Sequence, residues 1–281
     1  MIDLNRAVEF GLLVKAAEDI LPASTANEAG RIIQSQLGGV DTPLTVLTSV
    51  FANDLATDIN PQRGNLIVSF GLILQTPNHD IVVVLRGTQG VWEWAHDAEF
   101  LLVKCPFLSD GGQTEDGFTA IYNSLRVDTN PDSSTAVEAL ADLAAKGQIS
   151  SVTLCGHSLG AAIATLLALD LAANTKLNNA AVYTYASPRT GDPDFARAYN
   201  QKVPNTFRVA NRLDLVPNLP LPPVYEHVSQ PFELNPMQFT PVPIPLVKLE
   251  LACEHQMSTY LHLLSVLAGG TIVPLDPACE P

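Results

Sequence analysis

Residues 152–162 read Val-Thr-Leu-Cys-Gly-His-Ser-Leu-Gly-Ala-Ala: an apolar strand pattern, a serine between Gly156 and Gly160, then small residues suited to a helix. Glycines on both flanks let the chain turn sharply from strand to helix and leave the Ser158 hydroxyl at the helix N-terminus. Chance alone would supply Gly-x-Ser-x-Gly in about one chain in twenty of this composition, so the strand before it and the helix after it carry the weight. A serine hydroxyl is a poor nucleophile near neutral pH. It needs a histidine within hydrogen-bond reach to take its proton and a carboxylate to fix that histidine's tautomer. The chemistry in view is nucleophilic acyl transfer.

On a strand–turn–helix of this kind the partners follow in the order Ser, then Asp or Glu, then His. Three histidines follow Ser158: His227, His255 and His262. For the acid, Asp214 stands directly after the strand-like segment TFRVAN, whereas Asp192 and Asp194 in SPRTGDPDF read as caps of the helix that follows them. His255 opens the last helical pattern. Positions 255 and 262 share a helical face, so periodicity does not choose between them; chain position favours His255 as the base. The tetrahedral oxyanion needs donors too. The Leu159 N–H is one by the geometry of the turn, and Thr88, after the strand IVVVLRG, supplies an N–H and a hydroxyl. His157 is read as structural, its side chain directed into the fold away from Ser158, and His79 and His96 as surface or loop residues. Cys155 reads as a small buried hydrophobe.

These groups require a scaffold that brings the ends of several strands together. Short β-branched runs at 66–75, 81–87, 151–156, 181–187 and 206–211 alternate with helical patterns at 3–20, 24–37, 116–127, 133–146, 159–173 and 254–268. Near-continuous apolar strands separated by helices predict an α/β fold, a sheet with helices on both faces. The short TPNHD link between the first two strands predicts a hairpin, so the sheet is mixed and mostly parallel. The chain of 281 residues fits a single catalytic domain. Nine prolines between 217 and 245 forbid long regular elements there, and the apolar residues among them predict that this excursion, 217–249, packs on the body of the domain or lines a pocket.

Composition excludes other functions. A net charge of −14 offers no basic face to a nucleic acid. The apolar run Ala161–Leu169 ends at Asp170, too short for stable membrane insertion. No metal motif or phosphate loop occurs, so neither cofactor nor metal is expected. Charged residues within MIDLNRAVEFGLLVKAAEDIL predict an amphipathic helix rather than a signal peptide, which makes a cytoplasmic location the default, with secretion open if a leader has been removed. The four cysteines lack CxxC spacing and are expected to be free thiols. Oligomeric state is not encoded in any of these patterns.

The stretches VVVLRGTQGVWEWAHDAEF, DGFTAIYNSLR, VTLCGHSLGAAIATLLALDL, YTYASPRTGDPDFARAY, FRVANRLDLVPNLP, YEHV and HQMSTYL occur in one order over residues 66–262. In these the chain resembles the class 3 lipase family, the fungal-type triacylglycerol lipases with their bacterial and plant phospholipase A1-like relatives. The resemblance implies an α/β-hydrolase fold, Ser158 as nucleophile, Asp214 as acid, His255 as base, and Thr88 and Leu159 as oxyanion donors. It also implies a short lid near 90–96, where Trp92 and Trp94 flank Glu93 and would meet substrate. Two features depart from the family: Glu115 and Asp116 stand where relatives usually have a His before Gly-Phe, and the disulfide pattern of the secreted fungal members is absent. The expected activity is hydrolysis of carboxylic esters of lipids, at a lipid–water interface. Triacylglycerol lipase leads, with phospholipase A1, a short-chain or aromatic-acid esterase, and an inactive lipase-like binding protein as alternatives.

Overall fold

The computed structural model describes residues 1–20, 44–53, 67–88, 100–130, 132–238 and 250–281. Helix α1 (Leu4–Ile20) is followed by strands β1 (Thr45–Asn53), β2 (Ile67–Gln75) and β3 (Asp80–Leu85), then by a small ribbon of β4 (Leu102–Lys104) and β5 (Gln113–Glu115). Next come α2 (Asp116–Ser124), α3 (Ala136–Ala145), β6 (Ser151–His157), α4 (Leu159–Asn174), β7 (Ala181–Tyr185), α5 (Pro193–Lys202), β8 (Thr206–Asn211) and β9 (Pro231–Leu234). Helices α6 (Leu251–His255) and α7 (Met257–Ala268) close the chain.

Seven strands form one sheet in the order β1-β2-β3-β6-β7-β8-β9. The pairs β1–β2 and β2–β3 are antiparallel, and every pair from β3 to β9 is parallel. This is the mixed, mostly parallel sheet that the hairpin and the apolar runs predict. Strand β3 explains how both faces are covered. Ile81, Val83 and Leu85 face a core built with α2, α3, α4 and α5, while Val82 and Val84 face a second core under α1 and α7. Helix α4 is apolar on all sides, and its buried residues run from Leu159 to Leu171. Such a helix sits inside the molecule.

Several boundaries differ from the sequence reading for identifiable reasons. The helix predicted over 116–127 stops at Ser124 because Arg126 exchanges backbone hydrogen bonds with Phe51. The one predicted over 133–146 begins at Ala136, where Thr135 and Glu138 form a reciprocal capping box. The predicted helix 254–268 is two helices, broken where Gln256 takes extended backbone (φ −64, ψ 141). The proline-rich excursion contributes β9, whose Pro231 opens an edge strand, where a missing N–H costs nothing. Its Leu234 is fully buried and Phe232 packs on the second core, as expected, whereas Leu221, Val224 and Met237 of the same excursion are exposed. The predicted helix 24–37, the lid residues Trp92 and Trp94, His96, and residues 239–249 of the excursion lie outside the described residues.

One expectation is overturned. Cys253 and Cys279 are joined in a disulfide; Cys105 and Cys155 are free and buried. Twenty-six residues separate the joined pair, a distance that sequence spacing does not encode, and the bond ties α6 to the C-terminal segment. Closing a loop of that length stabilises a chain by about 3.5 kcal/mol in the chain-entropy account. Cys279→Ser is expected to lower the urea midpoint accordingly. An unchanged midpoint would show that the bridge contributes nothing to stability.

Candidate active site

Strand β6 delivers Ser158 and helix α4 leaves from it. Ser158 has φ 54 and ψ −123, a positive-φ conformation that an L-residue adopts only under constraint. The constraints are visible. The Ser158 N–H donates to Tyr185 O at 2.9 Å, and its carbonyl accepts from Ala161 N at 3.0 Å. A Cβ on Gly156 would stand 2.4 Å from Gly160 O, and one on Gly160 would stand 2.4 Å from Leu85 O. Both glycines are therefore required by the close approach of α4 to β6 and β3. As the first residue of α4, Leu159 has an N–H without an intrahelical acceptor, in the field of a helix N-terminus.

The structure brings Ser158, His255 and Asp214 into one hydrogen-bonded chain. His255 Nε2 lies 2.9 Å from Ser158 Oγ, and His255 Nδ1 lies 2.9 Å from Asp214 Oδ2. With a carboxylate on Nδ1, that nitrogen carries the proton and Nε2 is left to accept from the serine. Asp214 sits past the end of β8 and is fully buried. It accepts from Tyr260 OH at 2.8 Å on the same oxygen as His255, and from Val216 N at 2.9 Å on the other. Tyr260 in turn accepts from Asn211 N, and Asn211 Nδ2 donates to the Glu254 carbonyl and carboxylate, fixing α6 against the end of β8. Burial holds His255 below the usual histidine pKa, against the opposing pull of Asp214.

The other histidines and acids take different places. His262 Nδ1 donates to Val273 O, and His227 Nε2 donates to Pro217 O, so neither meets Ser158. Asp192 accepts from Phe195 N as the cap of α5, as read from the sequence, whereas Asp194 is not a cap: it stands in the first turn of the helix and pairs with Arg197 on its surface. Thr88 lines the same cavity as Gly87, His157 and His255. Glu115, the departure from the family pattern, is buried and caps α2 by accepting from Phe118 N at 2.7 Å. Burial pushes its carboxyl up.

His157 is buried as expected, yet it touches the site. Its Nε2 donates to His255 O at 2.8 Å, its Nδ1 to Glu18 Oε1 at 2.8 Å, and its ring lies 4.8 Å from the His255 ring. A backbone carbonyl and a carboxylate are both acceptors, so both ring nitrogens must carry protons while Glu18 is ionised. Burial opposes that charge, but the Glu18 carboxylate outweighs it and raises His157 above the usual value. For Glu18, burial is likewise outweighed by His157, and its pKa falls. The positive His157 ring is one of the groups that lower His255. Glu18, on α1, also accepts from Gly87 N at 3.1 Å, which joins the first helix to the turn before Thr88. Glu18 was invisible in the sequence: it lies 139 residues from His157, with no motif around it.

Fold and site together define an α/β-hydrolase with a serine and an aspartate set past the ends of parallel strands and a histidine brought to them by α6. A family model, Lipase (class 3), matches residues 82–223, and the chain belongs to the class 3 lipase family. Among characterised relatives, the "Secreted mono- and diacylglycerol lipase A" of Penicillium cyclopium is 37% identical over 153 residues, covering 54% of this chain and 47% of that protein. "Phospholipase A1-IIgamma" of Arabidopsis thaliana is 32% identical over 204 residues, covering 65% of this chain and 48% of that protein. The chain thus spans about half the length of the curated relatives it matches. Among solved structures, a mutant of the Penicillium cyclopium lipase MDLA superposes with a TM-score of 0.58 at 25% identity, over 83% of this chain and 82% of that one. A deletion mutant of the Rhizomucor miehei lipase propeptide complex gives 0.64 at 20% identity, over 97% and 80%.

The Glu18–His157 pair carries a signed pH dependence. Because Glu18 is lowered from 4.5, its contribution is present above that value and lost as pH falls through its folded pKa. Because His157 is raised from 6.5, its contribution is present below 6.5 and lost as pH rises through its folded pKa. Glu18→Gln is therefore expected to destabilise most between these two values and less at alkaline pH, by about 1–3 kcal/mol at its largest. Urea unfolding of both proteins at a mildly acidic and an alkaline pH tests this; a gap that widens at alkaline pH would contradict the charged pair.

Proposed function

We propose that this protein is a carboxylic-ester hydrolase that cleaves acyl esters of glycerolipids, with triacylglycerol lipase as its leading activity. The observation that carries the reading is the Ser158–His255–Asp214 chain, with its serine held at positive φ on a strand-to-helix turn. Ser158 Oγ attacks the ester carbonyl as His255 Nε2 takes its proton, and the carbonyl carbon becomes tetrahedral. The oxyanion forms against the Leu159 N–H at the α4 N-terminus and the Thr88 donors, each well-placed donor being worth about 10²–10³ in rate. Collapse expels the alcohol, which takes the proton from His255, and leaves an acyl ester on Ser158. Water then enters, gives a proton to the same nitrogen, attacks the acyl carbon and frees the acid while Ser158 regains its hydrogen.

Asp214 stabilises the imidazolium that forms in each half-reaction. Tyr260 and Val216 hold that carboxylate, so it cannot rotate away from Nδ1. The names of the Penicillium and plant relatives support glycerolipid esters as the substrate class, and the plant ones favour phospholipase A1 as the second reading. The Cys253–Cys279 bond supports an oxidising compartment over the cytoplasmic default, because cytosolic thiol pools keep such pairs reduced.

Hydrolysis of p-nitrophenyl esters from short to long acyl chains, beside emulsified triglyceride and phosphatidylcholine, tests the reading. Triglyceride activity rising with chain length, and a fall of about 10⁶-fold in kcat for Ser158→Ala, are expected. Activity that survives the substitution would remove Ser158 from the reaction. Preference for phosphatidylcholine would select the phospholipase reading.

The acid limb gives an independent check. His255 works as a base only when neutral, and burial lowers its pKa, so the neutral form persists to lower pH than for a free histidine. The acid limb of kcat/KM is expected to have its midpoint below 6.5. A midpoint above that value would contradict the buried environment described for His255.

A further inference from the structure

Arg208 stands in the middle of β8, between Thr184 of β7 and Pro231 of β9, and is only 5% exposed. An arginine at a central strand position demands an explanation, because a buried cation without a counter-ion costs several kcal/mol. Among the described residues its side chain makes one hydrogen bond, from Nε to Val228 O at 3.3 Å, and no carboxylate lies within 4 Å of it. Arg208 lines a cavity of about 480 Å³, and no hydrogen bond among the described residues engages its two terminal amino groups. That volume falls within the roughly 300–1,000 Å³ of small-molecule sites. Burial lowers the Arg208 pKa to about 10, so the group is charged at neutral pH.

The surroundings share its sign. Arg212 and Arg208 both line the cavity, and Arg189 is close enough for its charge to act on Arg208 and on His227. His227, also in the lining, is pushed down to about 3 by burial and by Arg208, so it is neutral and brings no negative charge. The one carboxylate in the lining is Glu233, which stands 3.9 Å from Arg212 Nε, with both side chains more than half exposed. Glu233 is a rim partner of Arg212 and leaves Arg208 uncompensated. Two arginines and one carboxylate in the lining, with Arg189 acting from beside it, invert the balance of a chain with 15 basic and 29 acidic residues.

We propose that this cavity between β8, β9 and the Pro217–His227 loop is a binding site for an oxyanion, a phosphate or carboxylate group gripped by the two terminal amino groups of Arg208 with Arg212 at the mouth. A planar guanidinium presents two parallel N–H donors, which match two oxygens of one phosphate or carboxylate. None of Ser158, His255 and Asp214 lines the cavity, so the site is separate from the reacting centre. It shares a wall with it, however. Asn218 and Pro217 line the cavity, and Asn218 Nδ2 donates to Asp214 O at 3.2 Å. The proposal does not depend on the hydrolase reading, and its test measures binding alone.

The test uses inorganic phosphate and acetate as probes, against sodium chloride at equal ionic strength. For the full chain, phosphate is expected to raise Tm saturably, by about 5 °C at a hundredfold excess over Kd, while chloride does not. Arg208→Gln is expected to lose that response and to be at least as stable as the parent in anion-free buffer, since it removes an unpaired buried charge. Should Arg208→Gln not fold, Arg212→Gln, an exposed position, is expected to weaken phosphate binding about tenfold by equilibrium dialysis. Vesicles of phosphatidylcholine with and without phosphatidic acid identify the source. Retention on phosphatidic acid that free phosphate displaces assigns a lipid headgroup, whereas phosphate binding without vesicle retention assigns a free anion; either outcome supports the site. No saturable binding of either anion, or equal binding by the parent and the arginine variants, would overturn it.

Discussion

The backbone of Ser158 is the constraint around which the molecule is arranged. A non-glycine residue at φ 54, ψ −123 costs about 1–3 kcal/mol, and it persists only where its surroundings leave it no alternative. Here β6, buried in the centre of a seven-stranded sheet, fixes one side and a helix buried through its first eleven residues, Leu159–Leu169, fixes the other. The two glycines permit an approach at which no side chain would fit. What the strain achieves is placement: the Oγ leaves the sheet toward His255, and the α4 N-terminus points its N–H groups to the same place. Parallel strands β7 and β8 then set the depth of the site, because Asp214 must follow directly on β8.

Electrostatics is the second constraint. The site holds two histidines with rings 4.8 Å apart, and their environments drive them in opposite directions. His157 faces two acceptors and is held charged by Glu18. His255 faces one donor and one carboxylate in a buried setting, beside that positive ring, and is held neutral. A pair of like titratable groups separated in this manner has one member ready to take a proton and one that cannot compete for it. The first helix takes part through Glu18, which places residues at the two ends of the chain, α1 and α7, against the same small volume.

The sequence was informative where the physics is local. Apolar runs announced β2, β3, β6, β7 and β8, and the switch from strand to helix around Ser158 named the turn. Asp214 and His255 were readable because fold order and the ends of strands restrict where such groups can stand. Other features escaped for reasons equally physical. Strand β1, at a sheet edge, alternates exposed and half-buried residues over its first four positions, buries Ser49, Val50 and Ala52 farther on, and carries no strong apolar run. Strand β9 hides among prolines, which only an edge position tolerates. The break at Gln256 answers to a tertiary contact, since His255 O is taken by His157 rather than by the next turn of helix. Glu18, the Cys253–Cys279 pair and the cavity under Arg208 join residues distant in the chain, and such pairings leave no periodic trace.

The central claim is that Ser158 is activated by its surroundings and attacks acyl-like electrophiles. A fluorophosphonate probe reports this directly, since it reacts with a serine only when a neighbouring base and oxyanion donors are in place. After digestion, peptide mass spectrometry of the native protein is predicted to find one adduct, on the peptide carrying Ser158, and none after denaturation. Labelling of a different serine, or no labelling alongside a reactive control hydrolase, would contradict the account.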